Sequence, residues 1–148
     1  MADRTDELKR VPLFSDLNQR QLKRVGRDFR ERWFKPGTSI VRQGEMSGVG
    51  FFIITEGEAS VVIDGKEVAR LGPGEHFGEL ALISEGARAA TVTAETRLHC
   101  LEITFWDFRR IAKENPDITW KLLQQVAGLL IDERLGRAQA FVHGSGRV

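Results

Sequence analysis

Ten of the fifteen glycines fall between Gly37 and Gly86, where they punctuate short runs rich in valine, isoleucine and phenylalanine. This texture narrows the fold more than any other feature of the chain. Brief strands separated by glycine turns describe an antiparallel, jelly-roll-like β-barrel. Asp64-Gly65, set between Val61-Val62-Ile63 and Lys66-Glu67-Val68, is the clearest hairpin turn. Two later strands, Thr91 to Glu95 and Arg97 to Ile103, complete a barrel over residues 31–103.

Helices flank this barrel. Over residues 1–30 a short helical segment is broken by Pro12, and Ser15 or Asn18 caps a second one striped by Leu17, Leu22, Val25 and Phe29. Beyond the barrel, Thr104-Phe105-Trp106-Asp107 is a capping-box signature for a helix through Phe108 and Ile111. Asn115-Pro116-Asp117 ends it and opens a last helix, since proline is tolerated in a first turn. The last helix runs to residue 136 with two apolar faces: Ile118, Leu122, Val126 and Leu129 on one, Leu123, Ala127 and Leu130 on the other. Two such faces imply two contacts, one with the barrel and one with a ligand or a partner. Residues 137–148 form a glycine-rich tail, and the whole chain, 1–148, reads as a single domain, mainly β with N-terminal helices and two C-terminal helices.

Composition excludes several classes of function. With 22 Lys+Arg against 21 Asp+Glu, no broad basic field awaits nucleic acid. A helix-turn-helix after the last helix would need some tens of further residues, and the chain stops at Val148, so direct DNA binding is not expected. The opening MADRTDELKR mixes acids and bases and is no secretory signal. Apolar runs such as Phe51 to Ile54 fall far short of the ~20 residues that span a bilayer. The single cysteine, Cys100, cannot form an intrachain disulfide, which fits a reducing, cytoplasmic setting. His76, His99 and His143 are scattered, with neither metal-ligand spacing nor a nucleophilic constellation, so neither a metal centre nor catalysis is expected.

The chemistry concentrates in Phe77 to Ala94, FGELALISEGARAATVTA. Gly78 lets backbone approach a ligand closely, and the N–H groups of a short helical turn there would face an anion. Arg88 offers a planar fork matched to two phosphate oxygens. Glu79, when ionised, only accepts hydrogen bonds, so it suits sugar hydroxyls and repels phosphate. The stretch therefore reads as a pocket for a small ligand bearing both hydroxyls and a phosphate.

At these residues the chain closely resembles the cyclic nucleotide-binding domains of kinase regulatory subunits, catabolite activator proteins and gated channels. The phosphate-binding cassette of that family has the form F-G-E-L-A-L, a variable loop, then R-A-A-T-V, matched here by Phe77 to Leu82 and by Arg88 to Val92. One departure is Ala87, where many members place proline. The resemblance implies a ligand site made of Phe77, Gly78, Glu79, Leu80, Ala81, Arg88, Ala89, Ala90 and Val92, with Leu129 or Glu133 of the last helix touching the base. It also implies that alanine at 89 favours cyclic AMP (cAMP) over cyclic GMP (cGMP), because members preferring cGMP often carry a hydroxyl there. The expected function is a cAMP receptor that signals by moving its final helices, with Phe108 lying against Leu80 and Leu82. A downstream protein, or a second copy through the last helix, is the further partner. The competing reading is an interaction module that keeps the barrel while nucleotide binding is weak or incidental.

Overall fold

The computed structural model describes residues 4–45, 50–78 and 87–136; within the last helix, the side chains of residues 129, 130 and 132–136 lie outside that description. Among the described residues, eight strands form two four-stranded antiparallel sheets. The first, in the order β1-β8-β3-β6, uses Arg30–Phe34, Leu98–Ile103, Phe51–Glu56 and His76–Phe77; the second, β2-β7-β4-β5, uses Ser39–Val41, Thr91–Ala94, Ala59–Ile63 and Lys66–Leu71. Helices α1 (Arg4–Lys9) and α2 (Gln19–Gly26) precede the sheets, with a 3-10 turn at Pro12–Phe14 between them, and α3 (Phe105–Glu114) and α4 (Pro116–Gly136) follow.

The strand sequences explain the layering. Val41, Val61 and Val92 of the second sheet meet Phe52, Ile54, Leu98 and Cys100 of the first in the barrel interior. The alternate residues of the first sheet, Phe51, Ile53, Leu101 and Ile103, turn outward and are covered by Leu8, Phe14, Leu22, Phe108, Ile118 and Leu122 of the helices. The two central strands of the first sheet, β3 and β8, are thus buried on both faces, which is why β3 opens on the apolar run Phe51 to Ile54 and every residue of β8 is buried. At ~25 cal/mol per Å2 of apolar surface, these two continuous cores supply the main force holding the layers together.

Local signals place the element ends. Asp64 (φ 51°) and Gly65 (φ 80°) both adopt the left-handed region, as a tight I′-type hairpin turn requires, and Ile63 pairs Lys66 across it. Of the two candidate caps, Asn18 is the one used: its side chain accepts from the Gln21 N–H and Gln21 reaches back, each at 2.9 Å. Ser15 instead donates to the Pro12 carbonyl. Thr104 caps α3 by accepting from the Asp107 N–H at 3.2 Å. The N-terminal helices end sooner than residue 30, because β1 begins at Arg30.

The N- and C-terminal helices are tied together by polar contacts. Gln21 Nε2 donates to Asp117 at 2.5 Å, Lys121 Nζ donates to Gln21 at 2.9 Å, and Gln125 donates to Asp16 at 2.6 Å. One expected stripe of α4, Ile118, Leu122 and Val126, packs on the helical core. Of the other, Leu123 and Ala127 are exposed, Leu123 at 57%, near the exposed Trp120 (60%) and Ile131 (57%), while the side chains of Leu129 and Leu130 lie outside the described residues. No helix among the described residues is long and apolar enough to cross a membrane.

Candidate ligand site

The site begins where β6 ends. Phe77 is wholly buried and stacks on Phe52 of β3, with ring centroids 4.9 Å apart, so the strand is anchored to the barrel interior. The next residue, Gly78, has φ +86°, and a Cβ placed there would lie 2.7 Å from Arg88 Nη1 and 2.7 Å from the Gly50 carbonyl oxygen. Only glycine fits, because the Arg88 guanidinium packs directly over this backbone. Three segments distant in sequence, at residues 50, 78 and 88, therefore converge on one point.

Arg88 is held there by its backbone as well as by its side chain. Its N–H donates to the Glu45 carbonyl at 2.8 Å, and its carbonyl accepts from the Gly44 N–H at 2.9 Å. Nη2 donates to the Gly50 carbonyl at 2.9 Å. The residue is only 6% exposed, and Nη1 is buried with no hydrogen-bond partner among the described residues. Such a group is costly: an uncompensated buried cation destabilises a fold by several kcal/mol unless an anion meets it. Burial draws the Arg88 pKa down, and the negative charge of Glu102 opposes that shift. Arginine nevertheless stays charged.

Glu102 is a countercharge with an evident second role. It lies on β8, buried, and Arg32 Nη1 of β1 donates to it at 2.6 Å. Glu102 thus balances Arg88 at a distance while its hydrogen bond goes to Arg32, leaving the open donor of Arg88 for something else. Cys100, two residues before it, is no nucleophile. Burial first, then the Glu102 charge, pushes its thiol up to about 12, and a thiol that stays protonated does not attack.

The sequence-selected residues divide into groups. Gly78 and Arg88 are brought into contact. Ala89, one residue on, is exposed beside them. Phe77, Ala90 and Val92 place their side chains in the barrel core, so any ligand contact from them would come from backbone or from a ring edge. Glu79, Leu80, Ala81 and Leu82 lie outside the described residues, and so do the side chains of Leu129 and Glu133 on α4. Phe108 is buried against Phe14, ring centroids 6.2 Å apart, while its contact with Leu80 and Leu82 falls outside the described residues. Sequence reasoning missed Gly50 and Glu102. For Glu102 a signal existed, a lone carboxylate between Leu101 and Ile103 in a mostly apolar strand. Among the described residues no group of three or more His, Cys, Asp or Glu side chains is placed to hold a metal ion.

Comparison with known proteins bears on the family and the fold. A family profile described as the cyclic nucleotide-binding domain matches residues 31–115. A cAMP-dependent protein kinase regulatory subunit from Schizosaccharomyces pombe is 42% identical over 112 residues, 75% of this chain and 27% of that protein. A cyclic nucleotide-gated potassium channel from Rhizobium etli is 39% identical over 108 residues, 73% of this chain and 30% of that protein. The chain thus spans under a third of the length of these curated relatives. Among solved structures, the N-terminal domain of a transcriptional regulator from Streptomyces coelicolor A3(2) superposes with a TM-score of 0.79 at 30% identity, covering 90% of this chain and 95% of that one. The regulatory domain of Toxoplasma gondii PKA, crystallised with cAMP, gives a TM-score of 0.65 at 33% identity over 72% of this chain and 42% of that one. The profile match spans more than half of the residues, and the chain belongs to the cyclic nucleotide-binding domain family.

Proposed function

We propose that this domain is a cAMP receptor whose C-terminal helices respond to the ligand. The observation that carries the reading is the buried Arg88 Nη1, a charged donor with no partner among the described residues, beside a glycine that leaves room for nothing else. A cyclic phosphate supplies the missing acceptor and the missing charge together. Gly78 and the Ala89-Ala90 backbone add N–H donors, Glu79 accepts from the ribose hydroxyl, and Leu129 or Glu133 meets the base. Phe77, Leu80, Ala81 and Val92 frame the site. The absence of a hydroxyl at Ala89 favours cAMP over cGMP.

Response follows from the ties between layers. Drawing the cassette toward phosphate frees space for Phe108, and α3 and α4 then settle toward the barrel. Ligand drives this only through its differential affinity for the closed pose. The exposed stripe of α4, with Trp120, Leu123 and Ile131, is the surface that a downstream protein or a second copy would read. The same stripe favours the second reading, an interaction module for which nucleotide is incidental.

Amide hydrogen exchange separates the two. Under the receptor reading, cAMP, but not 5′-AMP, slows exchange at residues 77–92 and also at 105–135. No protection anywhere would leave the interaction module standing, and protection confined to the cassette would remove the helix response.

A further inference from the structure

On the helical layer, a cleft of about 1000 Å3 runs between α1, α2 and the first turn of α4. Its charge is one-sided. Arg20, Lys23, Arg24 and Arg27 recur at helical spacing along α2 and its C-cap, and all four line the cleft together with Arg4. Asp117 is the one carboxylate among the lining residues. The whole chain carries a formal charge of only +1, so this is a local concentration of cations rather than a general field.

Some of these cations are committed to the fold. Arg4 Nη1 donates to the carbonyls of Gly26 at 3.2 Å and Phe29 at 2.5 Å, closing the end of α2. Arg24 pairs with Asp28 and Glu114, each at 3.4 Å. Lys23 and Arg27 are different: both are exposed and neither has an ion-pair partner among the described residues.

We propose that this cleft docks an acidic peptide segment of a partner protein. A concave surface of this volume suits a few extended residues better than a duplex or a bilayer, which need breadth. The lining also carries hydrogen-bond acceptors. Beside the cations stand the amides of Gln19 and Asn115 and the Asp117 carboxylate. A peptide brings carboxylates for Lys23 and Arg27 and backbone N–H groups for those acceptors. A polyphosphate or nucleic-acid backbone brings no N–H donor for them. An occupant reaching from Lys23 to Asn115 would join α2 to the α3–α4 junction. The proposal is independent of the nucleotide site.

Fluorescence anisotropy tests it on the whole chain, using a short fluorescein-labelled peptide of alternating glutamate and glycine at ~0.15 M ionic strength. Saturable binding is expected, weakened about tenfold or more by Lys23→Glu with Arg27→Glu. Lys35→Glu with Lys66→Glu makes the same charge change on exposed residues outside the cleft and should leave binding nearly unchanged. Should charge reversal lower the melting temperature, Lys23→Gln with Arg27→Gln makes the same comparison. Absent binding, equal loss in both double variants, or tighter binding of tripolyphosphate, oligothymidylate or phosphatidylserine vesicles would overturn the proposal.

Discussion

Two arginines at the rims of this barrel are treated in opposite ways. Arg70, on the β4–β5 hairpin, is 51% exposed and has Glu67, Glu58 and Glu95 within 2.8, 3.9 and 3.9 Å. Its hydrogen bond to Glu67, and then the charge of that carboxylate, push its pKa up. Arg88 is buried, makes one side-chain hydrogen bond among the described residues, to a carbonyl, and has its pKa drawn down by burial. The first arrangement is self-sufficient and, being solvent-screened, contributes little. The second leaves Nη1 without a partner among the described residues, and backbone bonds to Gly44 and Glu45 hold the residue in place. Under the proposed function, the Arg88 donor without a partner among the described residues is where the ligand phosphate would sit.

The widest expected gap between the two regions is in affinity. Arg88→Ala should weaken cAMP binding by about 2–5 kcal/mol while the domain still folds, and Arg70→Ala should leave affinity unchanged. Isothermal calorimetry on both variants decides it, and equal affinities for the wild type and Arg88→Ala would end the phosphate role.

A smaller contrast lies in two glycines with positive φ. A methyl group added to Gly65 in the hairpin would meet nothing within 4 Å, whereas at Gly78 it would collide with the Arg88 guanidinium and the Gly50 carbonyl. Gly65→Ala should cost about 1–2 kcal/mol, the conformational penalty alone. Gly78→Ala should cost about 1–3 kcal/mol more than that and should also reduce cAMP affinity, because Arg88 must move. Urea denaturation showing equal costs would mean that Arg88 packs more loosely over Gly78 than these distances imply.

The smallest effect concerns selectivity next to Arg88. Ala89 is exposed, so Ala89→Thr should fold normally and shift the cGMP-to-cAMP affinity ratio toward cGMP by up to about tenfold, or ~1.4 kcal/mol. A competition titration in which the ratio stays fixed would place base selection on α4 instead.

Much of this was legible in the chain because the signals were local. Asp64-Gly65 forms its turn within four residues, and Asn18 finds Gln21 three residues on, so each could be read without knowing the fold. The meeting of Gly78 and Arg88 was legible because the two lie close together along the chain, while Glu79 falls outside the described residues. What escaped reading depends on distant partners. Gly50 receives Arg88 from 38 residues away, and no pattern around it announces that. β1, RERWF, is exposed at four of its five residues and lacks the alternation that identifies a half-buried strand. β6 is two residues long and is a strand only because Phe77 and His76 pair with Phe52 and Ile53.

The two strands buried on both faces, β3 and β8, leave the chain with a problem of alignment. In most sheets a strand that slips by one residue turns its apolar side to water, and this penalty alone keeps the pairing correct. For β3 and β8 a slip would trade one apolar environment for another. The few polar side chains in these strands must do the aligning. Glu102 has to face inward to meet Arg32, and His99 has to face the opposite way, where its Nδ1 meets the Thr55 hydroxyl and its ring lies 4.4 Å from that of Trp33. The irregular pairing between Ile54 and Glu56 sits beside that same histidine. These groups act as alignment marks, so replacing them with apolar residues of similar size would leave both interiors greasy and well filled yet remove what distinguishes the native pairing from its neighbour one residue away.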